Sequence, residues 1–94
     1  MELAGRSGEM EVFARVAQAG SLSAAARALG LTPSAVSRIL ARTEQRLGTR
    51  LMLRTTRAIT LTPEGEAYLR GAHRVLVDML EVEQAITDQG VPRG

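Results

Sequence analysis

Apolar residues recur at helical spacing along most of the chain, and glycines interrupt the pattern at positions 20, 30 and 48. A glycine directly after an amphipathic stretch is where a left-handed C-cap is expected, so these three predict three helix ends. The first helix is expected at about 8–19, with Met10, Phe13, Val16 and Ala17 on one face. The second is alanine-rich, at about 23–29, and is entered through Ser21 and Ser23. The third is expected over 33–47, where Thr32 supplies an N-cap and Pro33 a first helical residue with its φ already set. Val36, Leu40 and Leu47 are expected to face inward, while Arg38, Arg42 and Arg46 recur every four residues along another stripe.

The pattern changes over residues 51–61. Leu51, Leu53, Ile59 and Leu61 keep alternating parity on either side of Arg54-Thr55-Thr56-Arg57, which predicts a short two-stranded ribbon with a polar tip. Two such strands are marginal alone and must lean on the helices. Thr62-Pro63 then repeats the Thr-Pro start signal, and a helix of roughly 39 Å is expected from Pro63 to about Asp88. Its apolar positions Tyr68, Ala72, Val75, Met79, Val82 and Ile86 follow one another in steps of four and three, a heptad seam that Leu69, Leu76 and Leu80 widen. A head of this size cannot cover the whole stripe, so the seam predicts a partner helix, most simply its twin in a homodimer. Residues 89–94 break the helix and read as a hinge.

Composition narrows the function classes. The absence of cysteine excludes a disulfide scaffold and a thiolate metal site, and the single histidine, His73, excludes a His-rich one. Phe13 and Tyr68, the chain's two aromatics, are too few for a base-stacking groove on single strands. No apolar run reaches the roughly 18 residues that a membrane span needs. Residues 1–10 contain no apolar h-region, so no secretory leader is expected and a cytoplasmic setting is.

Charge changes the picture most. The net +2 conceals residues 12–57, in which eight arginines face Glu44 alone for a local +7, flanked by acidic segments on both sides. Such a block in a small domain points to a polyanion. The predicted second and third helices, joined by Gly30-Leu31-Thr32, form a helix-turn-helix, and the basic ribbon follows as a wing. The second helix of such a pair enters the major groove by its first turns, here Thr32, Pro33, Ser34, Ser37 and Arg38. Ser34 and Ser37 can donate or accept, and Arg38 can make a bidentate contact to guanine. Arg42 and Arg46, one and two turns further on, are expected nearer the backbone phosphates or on the solvent face, and Thr32 serves more as a cap than as a reader. Ser21, Ser23 and the free N–H groups of the second helix suit one phosphate. Arg54, Thr55, Thr56 and Arg57 suit phosphates and a narrow minor groove. Glu44 is expected to be structural, near Arg42, Arg46 or a backbone donor. Tyr68 is expected at the junction of head and long helix, its hydroxyl toward water. His73 is expected to be a surface or seam residue. No nucleophile–base–orienter set is present, so an enzyme is not expected.

The run from Ala19 to Leu69 resembles the N-terminal DNA-binding domain of LysR-type bacterial transcription regulators. The pieces that carry the likeness are Gly20-Ser21, Ala24-Ala25-Ala26, Leu29-Gly30-Leu31, Val36-Ser37-Arg38, Glu44, Leu47-Gly48, Leu51, Arg54-Thr55-Thr56-Arg57 and Leu61-Thr62-Pro63-Glu64-Gly65. Four positions depart from the pattern. Leu22 and Met52 stand where an aromatic is common, Thr43 where a leucine is, and Pro33 where a glutamine often reads a base. Thr43 is expected either to weaken that part of the core or to expose a contact.

The resemblance implies a mainly α fold: a winged helix-turn-helix head of three helices and a two-stranded β wing over 1–61, a dimerisation linker helix over 62–89, and a hinge over 90–94. It implies a sequence-specific duplex-DNA-binding regulator that acts as a dimer, or as a tetramer in a longer protein, on a partly palindromic site. The expected dimer interface is Tyr68, Leu69, Ala72, Val75, Leu76, Met79, Leu80, Val82 and Ile86. No cofactor is expected in this segment, and a small-molecule effector is expected for a separate C-terminal domain, which makes this chain a fragment. The competing reading is a dimerisation or adapter module that kept the fold without DNA readout.

Overall fold

The computed structural model describes residues 5–55 and 58–88. Helix α1 spans Gly5–Ala19, α2 Leu22–Leu29 and α3 Pro33–Leu47. Strands β1 (Met52–Arg54) and β2 (Ile59–Leu61) follow, then α4 (Pro63–Asp88). The expected hinge over 90–94 and the wing residues Thr56 and Arg57 lie outside the described residues.

The capping chemistry sets the helix ends. Ser21 accepts from the Ala24 N–H at 3.0 Å and Thr32 from the Ala35 N–H at 3.1 Å, so each hydroxyl satisfies an otherwise orphaned first-turn donor. Gly30 and Gly48 both sit at φ 72°. That left-handed turn lets the Leu31 N–H return to the Ala26 carbonyl at 2.9 Å and the Thr49 N–H to the Glu44 carbonyl at 3.2 Å. Both are Schellman closures, in a region that a side chain adopts only under strain. Helix α1 begins earlier than its periodicity suggests, at Gly5; within its first turns Gly8 is buried and Glu9 pairs with Arg46 of α3.

The core lies where the three short helices meet the wing. Val12, Phe13 and Val16 of α1, Ala25 and Ala26 of α2, Val36 and Leu40 of α3, and Leu51 and Met52 are all buried. The alanines of α2 let its backbone approach closely. Thr43 is fully buried among them, with its hydroxyl turned back to the Ile39 carbonyl at 2.8 Å. A buried hydroxyl needs such a partner, and this one stays within its own helix. Of the two expectations for Thr43, exposure of a contact therefore does not hold. Leu47 is 41% exposed rather than inward, because α3 ends at the Gly48 turn and the inward stripe closes with Thr43.

The ribbon pairs antiparallel, Met52 with Leu61, Leu53 with Thr60 and Arg54 with Ile59. Its inner face is Met52, Arg54, Ile59 and Leu61, while Leu53 is 48% exposed. The parity expected for Leu53 is thus reversed, because Leu51 belongs to the loop before the strand. The Leu51 N–H donates to Glu44 Oε2 at 2.8 Å and its carbonyl accepts from the Thr62 N–H at 3.0 Å. Those two bonds turn the Leu51 side chain into the core regardless of strand alternation. Met52, which stands where the resembled pattern commonly has an aromatic, is 1% exposed.

Helix α4 is rooted in the head by its first turns. Gly65 is buried against the Leu51 carbonyl, and Tyr68 stacks edge-on against Phe13 with centroids 5.0 Å apart. Leu69 packs on the core and Ala72 is buried. Tyr68 therefore sits at the junction of head and long helix, as expected, and Tyr68, Leu69 and Ala72 pack on the head of their own chain, where the heptad seam places them outward. The heptad pattern reports an apolar stripe without saying which surface covers each part. Beyond them Leu76 is half-buried, while Val75, Met79, Leu80, Val82 and Ile86 are exposed.

Candidate nucleic-acid interface

Burying Val36, Leu40 and Thr43 turns the opposite side of α3 outward. Pro33, Ser34, Arg38, Ala41, Arg42 and Gln45 are all exposed, which makes one continuous stripe beginning at the Thr32 cap. Among the described residues Arg38 and Arg42 make no ion pair or hydrogen bond, so both guanidinium groups are available to an anion. The short side chains at the start of the stripe leave room for close approach of a groove floor.

The remaining arginines of α3 and the loop after it are engaged. Arg46 pairs with Glu9 of α1, which removes it from the stripe and fixes the third helix against the first. Arg50 Nε lies 3.8 Å from Glu44 Oε2. That oxygen also accepts from the Leu51 N–H at 2.8 Å and the Met52 N–H at 3.2 Å. Glu44 therefore ties the end of α3 to the start of the wing, as its expected structural role requires.

The entry of α2 and the base of the wing meet. Gly20, Ser21, Leu22, Ser23, Arg54, Thr55, Ala58 and Ile59 line an open cavity of about 250 Å³. One wall is the N-terminus of α2, with its partial positive charge, and the other is the wing, from Arg54 and Thr55 to Ala58 and Ile59. Ser23 is exposed there, and Ser21 is half-buried as the cap. A cleft lined this way suits a phosphate. Thr55 closes the visible part of the wing through its Oγ1, which accepts from the Ala58 N–H at 3.0 Å.

Arg54 is the site residue that the sequence places least well. It is expected at the wing tip, but it ends the inner face of β1, is half-buried, and donates from Nη1 to Ser37 Oγ at 3.0 Å. The signal lies in Met52: an apolar residue two positions earlier shares the face of Arg54. Tyr68 also differs from expectation. Its hydroxyl is buried without a hydrogen-bond partner among the described residues, and burial, then the nearby Glu9 carboxylate, push its pKa above the ordinary 10.0 against an opposing influence from Arg46. No group of acids and histidines able to hold a metal ion occurs among the described residues.

A glycine-turned helix pair, an outward cationic helix and a two-stranded ribbon together define a winged helix-turn-helix of the DNA-binding type. Comparison with known proteins carries the class to a family. The family model described as the bacterial regulatory helix-turn-helix protein of the lysR family matches residues 8–66. The transcriptional regulator CrgA of Neisseria meningitidis serogroup B is 44% identical over 89 residues, covering 94% of this chain and 30% of the relative. DmlR of Escherichia coli K12 is 38% identical over 87 residues, covering 92% and 28%. Among solved structures, the CbnR DNA-binding domain in complex with DNA superposes with a TM-score of 0.82 at 29% identity, covering 93% of this chain and all of that one. The BenM DNA-binding domain with catB site 1 DNA gives 0.85 over the whole of both chains at 24% identity, a likeness of fold alone. This chain belongs to the LysR family of bacterial transcription regulators. It spans about 30% of the length of the curated relatives it matches.

Proposed function

We propose that this chain is the sequence-specific, duplex-DNA-binding part of a LysR-type regulator. The observation that carries this reading is the exposed stripe on α3, with Arg38 and Arg42 free among the described residues and flanked by short polar side chains. In this reading α3 lies in the major groove, Ser34 and Ser37 reach base edges, and Arg38 reads a guanine. Arg42 and the cleft between α2 and the wing take phosphates, and Thr56 and Arg57 reach the minor groove. The CbnR complex supports the choice of nucleic acid, since that protein binds DNA with a domain of this shape.

The unit is a homodimer. Residues 1–61 are the head, 62–89 the linker helix whose exposed part pairs with a second copy, and 90–94 the hinge to an effector-binding domain that takes a small molecule. Dimers present two heads to a partly palindromic site, and pairs of dimers are a further step in the full-length protein. The setting is the bacterial cytoplasm. The test is selection of bound duplexes from a random pool, followed by titration of the winning site. One recurrent motif per head is expected, and Arg38→Ala should relax one base pair within it. A pool that stays random after repeated selection would make the adapter reading the better one.

A further inference from the structure

Arg54 reaches across from the wing to the helix that carries the readout. Its Nη1 donates to Ser37 Oγ at 3.0 Å, over 17 residues of sequence, and both side chains are half-buried. A guanidinium has five N–H donors and no lone pair, so the direction of this bond is fixed: arginine donates and serine accepts. One lone pair of the Ser37 hydroxyl is then occupied, and its hydrogen remains. Thr43, on the same helix, turns its hydroxyl hydrogen back to the Ile39 carbonyl. Ser37 makes no such return bond among the described residues, so its hydrogen stays available at the edge of the stripe.

We propose that Arg54 is a positioning residue that makes Ser37 a hydrogen-bond donor toward DNA, and thereby a discriminator of base edges. The inference rests on the DNA-binding role proposed above and names the polarity of one contact within it. Two effects point the same way. Accepting from a cation strengthens the donor character of the hydroxyl, as in any chain of hydrogen bonds. The positive charge beside Oγ also opposes approach of a base amino group. Ser37 therefore favours an edge that accepts, such as guanine O6 and N7 or thymine O4, over the N4 amino group of cytosine. The wing is then coupled to base selection as well as to backbone contact, because β1 holds Arg54 in place.

The test is a double-mutant cycle on the selected duplex, comparing the chain with Arg54→Met, Ser37→Ala and the pair of changes. Affinity is measured against duplexes altered one base pair at a time. The expected wild-type result is a preference for guanine or thymine over cytosine at one position per head, of about 2- to 10-fold. Each single variant should erase that preference, and the pair should erase no more than either alone. Ser37→Ala makes the test independent of any effect of Arg54→Met on the wing. The inference is overturned if Arg54→Met weakens all duplexes alike while the preference survives, if the two changes act additively on it, or if the wild-type chain has no such preference. Absence of any duplex binding by the wild-type chain at low salt would instead overturn the proposed function.

Discussion

Gly65 lies where the first turn of α4 crosses the Leu51 carbonyl, and replacing it by alanine would put a methyl carbon into that carbonyl. The added Cβ would overlap the Leu51 oxygen and stand 2.8 Å from its carbon, inside the 3.0 Å that real Cβ atoms essentially never breach. Both partners are backbone, so no side-chain rotation relieves the overlap. Helix α4 must lift or the loop must retreat. Either motion loosens the Thr62 N–H bond to Leu51 O at 3.0 Å and the Gly65 N–H bond to Thr62 Oγ1 at 2.9 Å. Overpacking costs about 3 kcal/mol at the upper end of its usual range, and a weakened hydrogen bond adds about 1 kcal/mol. The higher helix propensity of alanine offsets about 1 kcal/mol. The net expectation is a loss of about 3 kcal/mol, or a Tm lower by roughly 12–24 °C for a domain of this size.

Gly71 is the internal control. It lies in the same helix with nothing within 4 Å of the point where an added methyl would sit, so Gly71→Ala should gain the propensity term alone, about 0.5–1 kcal/mol. Thermal and urea unfolding followed by helical circular dichroism, at one fixed chain concentration, compares the two. Gly65→Ala as stable as the wild type, or shifted in the same direction as Gly71→Ala, would refute the close approach and with it the rooting of α4 in the head.

Three further outcomes follow from the same geometry. Glu44→Ala leaves the Leu51 and Met52 N–H groups without their acceptor and should cost about 2–4 kcal/mol in urea unfolding, whereas an unchanged midpoint would remove Glu44 from its structural role. Tyr68→Phe deletes a buried hydroxyl that has no hydrogen-bond partner among the described residues and should be neutral to stabilising. Because the folded state raises the Tyr68 pKa, its stabilisation is present below pH 10.0 and lost as pH rises through the folded value, so the variant should lose less stability in alkali. An identical alkaline profile would contradict that. Val75→Glu with Met79→Glu charges the exposed part of α4 and should yield monomers in sedimentation, while an unchanged dimer would reject the proposed seam.

What is legible in the sequence is the chemistry of chain ends and turns. Ser21, Thr32, Pro33, Gly30, Gly48 and Thr62-Pro63 act on their immediate neighbours, so α3 and α4 begin and end where expected. The start of α1 at Gly5 carries no such local signal, and the pairing of Glu9 with Arg46, 37 residues away, is likewise invisible in the sequence. Strand parity fails for Leu53 because Leu51 belongs to the loop before the strand, where two tertiary hydrogen bonds, to Glu44 and Thr62, orient it. The α4 stripe is visible as a period, but its division between the head and the outward seam depends on how far the helix runs beyond α1. The α3 stripe is legible from the charge pattern. The link from Arg54 to Ser37 is not, since it requires the wing to fold back on the helix.

The central claim, that the cationic stripe of α3 and the cleft beside the wing bind duplex DNA, is tested most directly by titrating the selected site at two salt concentrations. Roughly four phosphate contacts per head, doubled in a dimer, predict that affinity falls about 10⁴-fold between 50 and 200 mM salt. A binding constant that does not change over that range, or no binding at the lower salt, would contradict the account.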